Sequence, residues 1–74
     1  MDKKHSEKFK EIAKKIKYYR EQKGLSQEKL AGMVSISVSY LSKIEAPNCD
    51  KTFSLYVLFD IAQALEVPVG KLLE

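Results

Sequence analysis

Apolar residues in the first third of the chain recur at the three- and four-residue intervals of an amphipathic helix. Lysines occupy many of the positions between them. Lys23 and Gly24 then supply the cationic last turn and the glycine that are typical of a helix end. The pattern predicts a first helix from about Ser6 to Lys23, with its buried side formed by Phe9, Ile12, Ala13, Ile16 and Tyr19.

Two shorter helices are predicted next. Ser26 is a suitable N-cap for a helix from Gln27 to Val34, and Ser37 is a suitable N-cap for another that runs through Glu45. Helices of about two turns are unstable alone, so they must pack closely against each other and their neighbours. The intervening Ser35 and Ile36 form a tight break, from which Ile36 points into the core.

The last third of the chain predicts two more helices after a polar loop over 46–51. The fourth helix begins at Thr52 or Ser54, and Pro68 suits the first turn of a short fifth helix. No alternation typical of strands is present. The expected fold class is therefore all-α with five helices, and the fourth helix buries Leu55, Leu58, Ile61, Ala62 and Leu65.

Length and composition restrict the chemistry. A chain of 74 residues forms one domain with a thin stability margin. Cys49 and His5 are the only residues of their types, so we expect neither a disulfide nor a metal site, and a lone cysteine fits the reducing cytoplasm. No apolar run is long enough to span a membrane. No catalytic cluster or phosphate-binding glycine loop is evident, so we expect no enzyme, no cofactor and no small-molecule ligand.

Positive charge is concentrated at the start of the chain. Residues 1–23 contain nine Lys and Arg against four Asp and Glu, whereas the net charge of the whole chain is +3. A basic segment of this kind favours a polyanion or an anionic surface as partner, although a solvated lysine face on a helix explains it equally well.

The third predicted helix has an unusual outward face. At about 100° per residue, the side opposite Leu41 and Ile44 consists of small or slim side chains and one lysine. A helix that enters the DNA major groove needs such a face, because acidic side chains would meet phosphates. The alternative is a surface helix that happens to be rich in serine. This outward face comprises Val38, Ser39, Ser42 and Lys43.

From Ile12 to Leu73 the chain resembles the Cro and phage-repressor helix-turn-helix family of small bacterial and phage regulators. The resemblance rests on several motifs in the family's order and at nearly its spacing. They are Ile16-x-x-Tyr19-Arg20, Gly24-Leu25-Ser26-Gln27-x-x-Leu30-Ala31, Ser37-x-Ser39-Tyr40-Leu41-Ser42-Lys43-Ile44-Glu45, Leu58-x-x-Ile61-Ala62-x-x-Leu65 and Leu72-Leu73.

The resemblance implies a compact, five-helix, lambda-repressor-like domain over 9–74, after an N-terminal extension over 1–8 that is partly helical or disordered. The helix-turn-helix motif would occupy about 27–46, with its second helix in the major groove. The family's positions also make Arg20 and Glu45 a structural ion pair between the first and third helices rather than an active site.

The same resemblance assigns the residues that meet DNA. Gln27 would contact the DNA backbone, Val38, Ser39 and Lys43 would read bases, and the following loop would touch phosphate. Tyr40 lies at the flank of the third helix and is either a packing residue or a phosphate contact. The complete expected DNA-binding set is Gln27, Ser37, Val38, Ser39, Tyr40, Ser42, Lys43, Asn48 and Lys51.

Three features depart from the family pattern. Ser35 stands where glycine is usual, and a serine in the left-handed conformation costs roughly 1 kcal/mol. Val38 stands where a long polar reader is common, and valine can contact only a thymine methyl. The loop from Ala46 to Phe53 is two residues longer than the commonest form.

These observations favour a cytoplasmic, bacterial or phage-encoded transcriptional regulator, repressor-like, that binds double-stranded DNA as a homodimer on a palindromic operator. The alternative is a protein-interaction or antitoxin-like module on the same fold. For the homodimer, the apolar residues expected to be available at a partner surface are Phe53, Tyr56, Val57, Val67 and Val69.

Overall fold

The computed structural model describes residues 3–47 and 53–74, which form five α-helices and no strand. The expected all-α, five-helix architecture is confirmed. In chain order the helices are α1 (Lys3–Gln22), α2 (Gln27–Met33), α3 (Val38–Glu45), α4 (Leu55–Leu65) and α5 (Val69–Leu73).

The largest departure from the predicted boundaries is at the start of α1. This helix begins at Lys3 rather than near Ser6, because the residues before Phe9 are polar and give no periodic signal. It ends at Gln22 and α2 ends at Met33, each one residue earlier than predicted. The predicted domain boundary after residue 8 lies within the continuous α1 and stays a prediction.

Serine side chains cap the N-termini of three helices. The Oγ atoms of Ser26, Ser37 and Ser54 accept the backbone N–H groups of Lys29, Tyr40 and Val57 at 3.0, 3.0 and 3.2 Å. Each bond satisfies a donor that has no partner within its helix. The N-caps predicted for α2 and α3 are confirmed, and Ser54 rather than Thr52 caps α4.

All five helices contribute to one core. α1 packs against α3, α4 and α5, while α2 packs against α3 and α4. Phe9 and Phe53 add an edge-to-face aromatic pair with ring centroids 5.0 Å apart. The buried cluster consists of Ile12, Ile16, Leu30, Ala31, Val34, Leu41, Ile44, Leu58, Ile61, Ala62, Leu65 and Leu72.

The apolar surface of α4 differs from the expected one. Phe53, Val57, Val67 and Val69 are partly buried against the protein's own core, and the expectation that they also contact a partner stays a prediction. Phe9 of α1 packs edge-to-face on Phe53, a contact between distant residues that sequence periodicity does not reveal. The expectation that Leu55 is buried is wrong: as the first residue of α4 it is 64% exposed. Tyr56 is 78% exposed, as expected, and Phe59 is 51% exposed beside these two residues.

The turn between α2 and α3 places Ser35 in the left-handed region at φ 59°. The Ile36 N–H that follows donates to the Ala31 carbonyl at 3.0 Å, and the Ile36 side chain packs on the core. Ser35, which stands where the family usually has glycine, therefore has a strained left-handed backbone that glycine would adopt without strain.

Replacing Ser35 with glycine is expected to raise the free energy of unfolding by about 0.5–1 kcal/mol, because relief of strain exceeds the added entropy of the unfolded chain. The same replacement at the helical Ser39 should lower it by about 0.5 kcal/mol. Urea denaturation of both variants checks the prediction. Equal destabilisation of the two would contradict the proposed strain at Ser35.

Candidate nucleic-acid interface

A buried ion pair joins α1 to the end of α3. Arg20 donates from Nε to Glu45 Oε2 at 2.8 Å and from Nη2 to Glu45 Oε1 at 2.9 Å. Its Nη1 donates to the Leu25 carbonyl at 2.7 Å, in the turn before α2. The Arg20 guanidinium thus joins α1 both to the end of α3 and to the turn between α1 and α2.

Both charged groups are withdrawn from water. Arg20 is 8% exposed and Glu45 is 7% exposed. The hydrogen bonds to Glu45 raise the pKa of Arg20 above its ordinary value, which keeps the guanidinium charged. Such a pair needs complete hydrogen bonding to offset the loss of hydration. Among the described residues, no buried side-chain nitrogen or oxygen lacks a partner.

Gln27 extends this network to the start of α2. Its Nε2 donates to Glu45 Oε1 at 3.0 Å, so Glu45 receives hydrogen bonds from both Arg20 and Gln27. The bond holds the Gln27 side chain, which is half-buried, beside the end of α3. This contact was not expected from the sequence, because side-chain hydrogen bonds between helices leave no periodic signal.

The outward face of α3 is open to solvent at Val38, Ser39, Ser42 and Lys43. Leu41 and Ile44, on the other side, are fully buried. The single acidic residue of α3 is Glu45, and its charge is turned inward to Arg20. The exposed side of α3 therefore offers one methyl-bearing side chain, two hydroxyls and one ammonium.

The other expected contacts fall into three groups. Ser37 is exposed, but its Oγ already accepts the Tyr40 N–H as the cap of α3. Tyr40 is half-buried against the core, which favours the packing role over the phosphate contact. Asn48 and Lys51 lie outside the described residues.

Lys17 was not predicted from the sequence to lie at the interface. This lysine is one helical turn before Arg20 on α1, and it lies beside Gln27 and Ser42.

The described residues contain no cluster of three or more His, Cys, Asp or Glu side chains that could hold a metal ion. Within the same part of the chain, no helix is both long and apolar enough to cross a membrane.

Comparisons with known proteins agree with this geometry. A family model described as "Helix-turn-helix" matches residues 16–72. The HTH-type transcriptional regulator SinR of Bacillus subtilis (strain 168) is 38% identical over 63 residues, which span 85% of this chain and 56% of SinR. The chain thus spans little more than half the length of this relative.

Two solved structures have similar folds. The restriction-modification controller protein C.AhdI from Aeromonas hydrophila superposes with a TM-score of 0.78 at 28% identity, covering 86% of this chain and 94% of that protein. A structure of a SinR protein/SinI protein complex gives a TM-score of 0.77 at 38% identity, covering 85% of this chain and 60% of that chain.

Replacing Glu45 with alanine is expected to lower the free energy of unfolding by about 3–5 kcal/mol, because Arg20 would keep a buried charge without its partner. A Glu7→Ala control removes an exposed pair with Lys10, in which the charged atoms are 3.6 Å apart, and should change stability by less than about 0.5 kcal/mol. Thermal and urea denaturation measure both. Similar values for the two variants would contradict the structural role of the buried pair.

Proposed function

The chain belongs to the helix-turn-helix family, and on this basis we propose that it binds double-stranded DNA in a sequence-specific manner as a transcriptional regulator. The family assignment confirms the resemblance to Cro-type and repressor-type regulators. It also agrees with the expectation that the chain is not an enzyme. The proposal extends to a homodimer that binds a palindromic operator and represses transcription.

The exposed face of α3 is the observation that carries the proposal. Eight helical residues are about 12 Å long, and the major groove is about 12 Å wide, so α3 can lie within it. Ser39 and Ser42 can donate or accept hydrogen bonds at base edges, and Lys43 can donate to guanine. Val38 can contact a thymine methyl. No acidic side chain of α3 faces the approaching phosphates.

Anchoring to the DNA backbone is assigned to residues around this face. The hydrogen bond to Glu45 uses one N–H of the Gln27 amide, and the other N–H can donate to a phosphate oxygen. Such contacts set the position of α3 in the groove without reading sequence. Asn48 and Lys51 remain proposed contacts of the same kind.

Selection from a pool of random duplexes tests the function directly. A sequence-specific regulator should enrich a pseudo-palindrome and release it as salt rises. Failure to retain any duplex at low salt would contradict DNA binding and favour the protein-interaction module. Enrichment of unrelated sequences would support DNA binding but contradict sequence-specific regulation.

An unpartnered apolar patch on α4 supports the homodimer. Leu55, Tyr56 and Phe59 are adjacent on one side of α4, and each is more than half exposed. Exposed apolar clusters of this kind mark contact surfaces. A second copy is the proposed occupant, because a two-fold pairing sets one patch against its equal and doubles the base contacts of a short reading helix.

Base reading by α3 predicts different losses for two substitutions. Lys43→Ala should reduce affinity for the selected duplex by about 1–3 kcal/mol, with the loss concentrated at a G·C pair if Lys43 contacts guanine. Val38→Ala should reduce the free energy of binding to the selected duplex by about 1 kcal/mol or less, with the loss mainly at one A·T pair. Titration against single-base variants of the duplex at fixed salt measures both. Equal losses on selected and random duplexes would mean that α3 does not read bases.

The dimer proposal predicts that Phe59→Asp produces a monomer, because a carboxylate would be buried at the two-fold contact. The matched control is Tyr18→Asp, which changes a similarly exposed aromatic residue on α1 and should leave assembly unchanged. Sedimentation velocity with and without the selected duplex gives the masses. A wild-type complex with one copy per duplex at saturation would contradict the homodimer.

A further inference from the structure

A shallow notch lies where α1, α2 and the end of α3 meet. Its volume is about 250 Å³, and it is open to solvent at the edge of the exposed α3 face. α1 contributes Lys17, α2 contributes Gln27, and α3 contributes Ser42 and Glu45. Ala46 and Pro47 complete its lining. The notch thus brings an ammonium, an amide and a hydroxyl together from three different helices.

Several lysines of α1 and of the turn after it have partners, whereas Lys17 has none among the residues that the structure describes. The ammonium groups of Lys8, Lys10 and Lys23 each form an ion pair with a glutamate, and Lys15 donates to the Glu74 carbonyl. Lys17 is exposed and forms no ion pair with any residue that the structure describes. Its charge is therefore available to a ligand in the notch.

The carboxylate in the notch does not repel an anion as a free glutamate would. Glu45 Oε2 receives a hydrogen bond from Arg20, and Oε1 receives hydrogen bonds from Arg20 and Gln27. The Arg20 charge balances that of Glu45, which leaves the positive charge of Lys17 as the net charge of the site. These bonds also point the Gln27 amide nitrogen, rather than its oxygen, towards Glu45.

We propose that this notch binds one phosphate of the DNA backbone, with Lys17 as its principal ligand. Gln27 donates through its second amide N–H, and Ser42 donates through its hydroxyl. Lys17 is a contact beyond those assigned to α2 and α3, and it would hold α1 against the DNA backbone beside the groove that α3 enters. This inference rests on the proposed DNA-binding function.

The test compares two charge-neutralising variants of α1, Lys17→Gln and Lys14→Gln. Lys14 is a matched control, because it is also exposed, also has no ion pair with a described residue, and lines a separate depression with Lys15, Tyr18 and Tyr19. Each variant is titrated by fluorescence anisotropy against the duplex selected by the wild-type protein and against a random duplex, between about 50 and 200 mM salt. Melting temperatures confirm that both variants are folded.

For each bound protomer, Lys17→Gln is expected to weaken binding to both duplexes about eightfold near 0.1 M salt and to lower the salt slope by about 0.9. Lys14→Gln should change affinity less than about twofold and leave the slope intact. Single neutral methylphosphonate linkages in the duplex then locate the contact. Wild-type protein should lose affinity at the linkage in each half-site that occupies the notch. Lys17→Gln should lose less than wild type at that linkage, because only Gln27 and Ser42 remain there, and as much as wild type at the other contacted linkages.

The possible outcomes distinguish failure of the notch proposal from failure of the proposed DNA-binding function. Salt-sensitive binding by wild-type protein together with equal effects of the two substitutions would overturn the notch and leave DNA binding intact. An unchanged salt slope for Lys17→Gln would do the same. If the wild-type protein binds no duplex, both the notch and the proposed function are overturned.

Discussion

The hydrogen-bonded pair of Arg20 and Glu45 holds together the helices that carry the exposed α3 face. It joins the longest helix to the end of α3, and Arg20 Nη1 also binds the Leu25 carbonyl in the turn before α2. α2 and α3 have seven and eight residues, too few to persist without tertiary contacts. A buried pair contributes little net stability compared with apolar packing, but loss of either partner leaves a buried charge uncompensated. Here the pair holds the end of α3 against α1.

The same pair links the core to the proposed DNA contacts. The Glu45 carboxylate faces inward, so the single acidic residue of α3 is absent from the exposed face. Glu45 also accepts a hydrogen bond from Gln27 at the start of α2. The fold thus orients an uncharged face with one lysine outward while the apolar side of α3 is buried in the core. Backbone strain at Ser35 is tolerated at this point because Ile36 and the neighbouring core positions hold the turn in place.

Periodicity predicted the features that depend on local spacing. The apolar stripes of α1 and α4, the serine caps of α2 and α3, and the exposed side of α3 all follow from residues three or four positions apart. The Arg20–Glu45 pair came from the family resemblance rather than from spacing. The prediction that failed depended on distant neighbours: Leu55 lies on the predicted apolar stripe of α4 but is exposed, as is Phe59. The sequence of a helix that is apolar almost all round does not show which side the other helices cover. The Gln27 hydrogen bond and the position of Lys17 beside it were missed for the same reason.

Chemical-shift mapping can show whether the surface organised by the buried pair is the one that contacts DNA. Amide spectra of the isotopically labelled protein would be followed while the selected duplex is added. We expect the largest shifts at the start of α2, on the exposed face of α3 and at Lys17, with much smaller changes across the middle of α5. Shifts concentrated on α4 and α5, with α3 unchanged, would contradict this expectation.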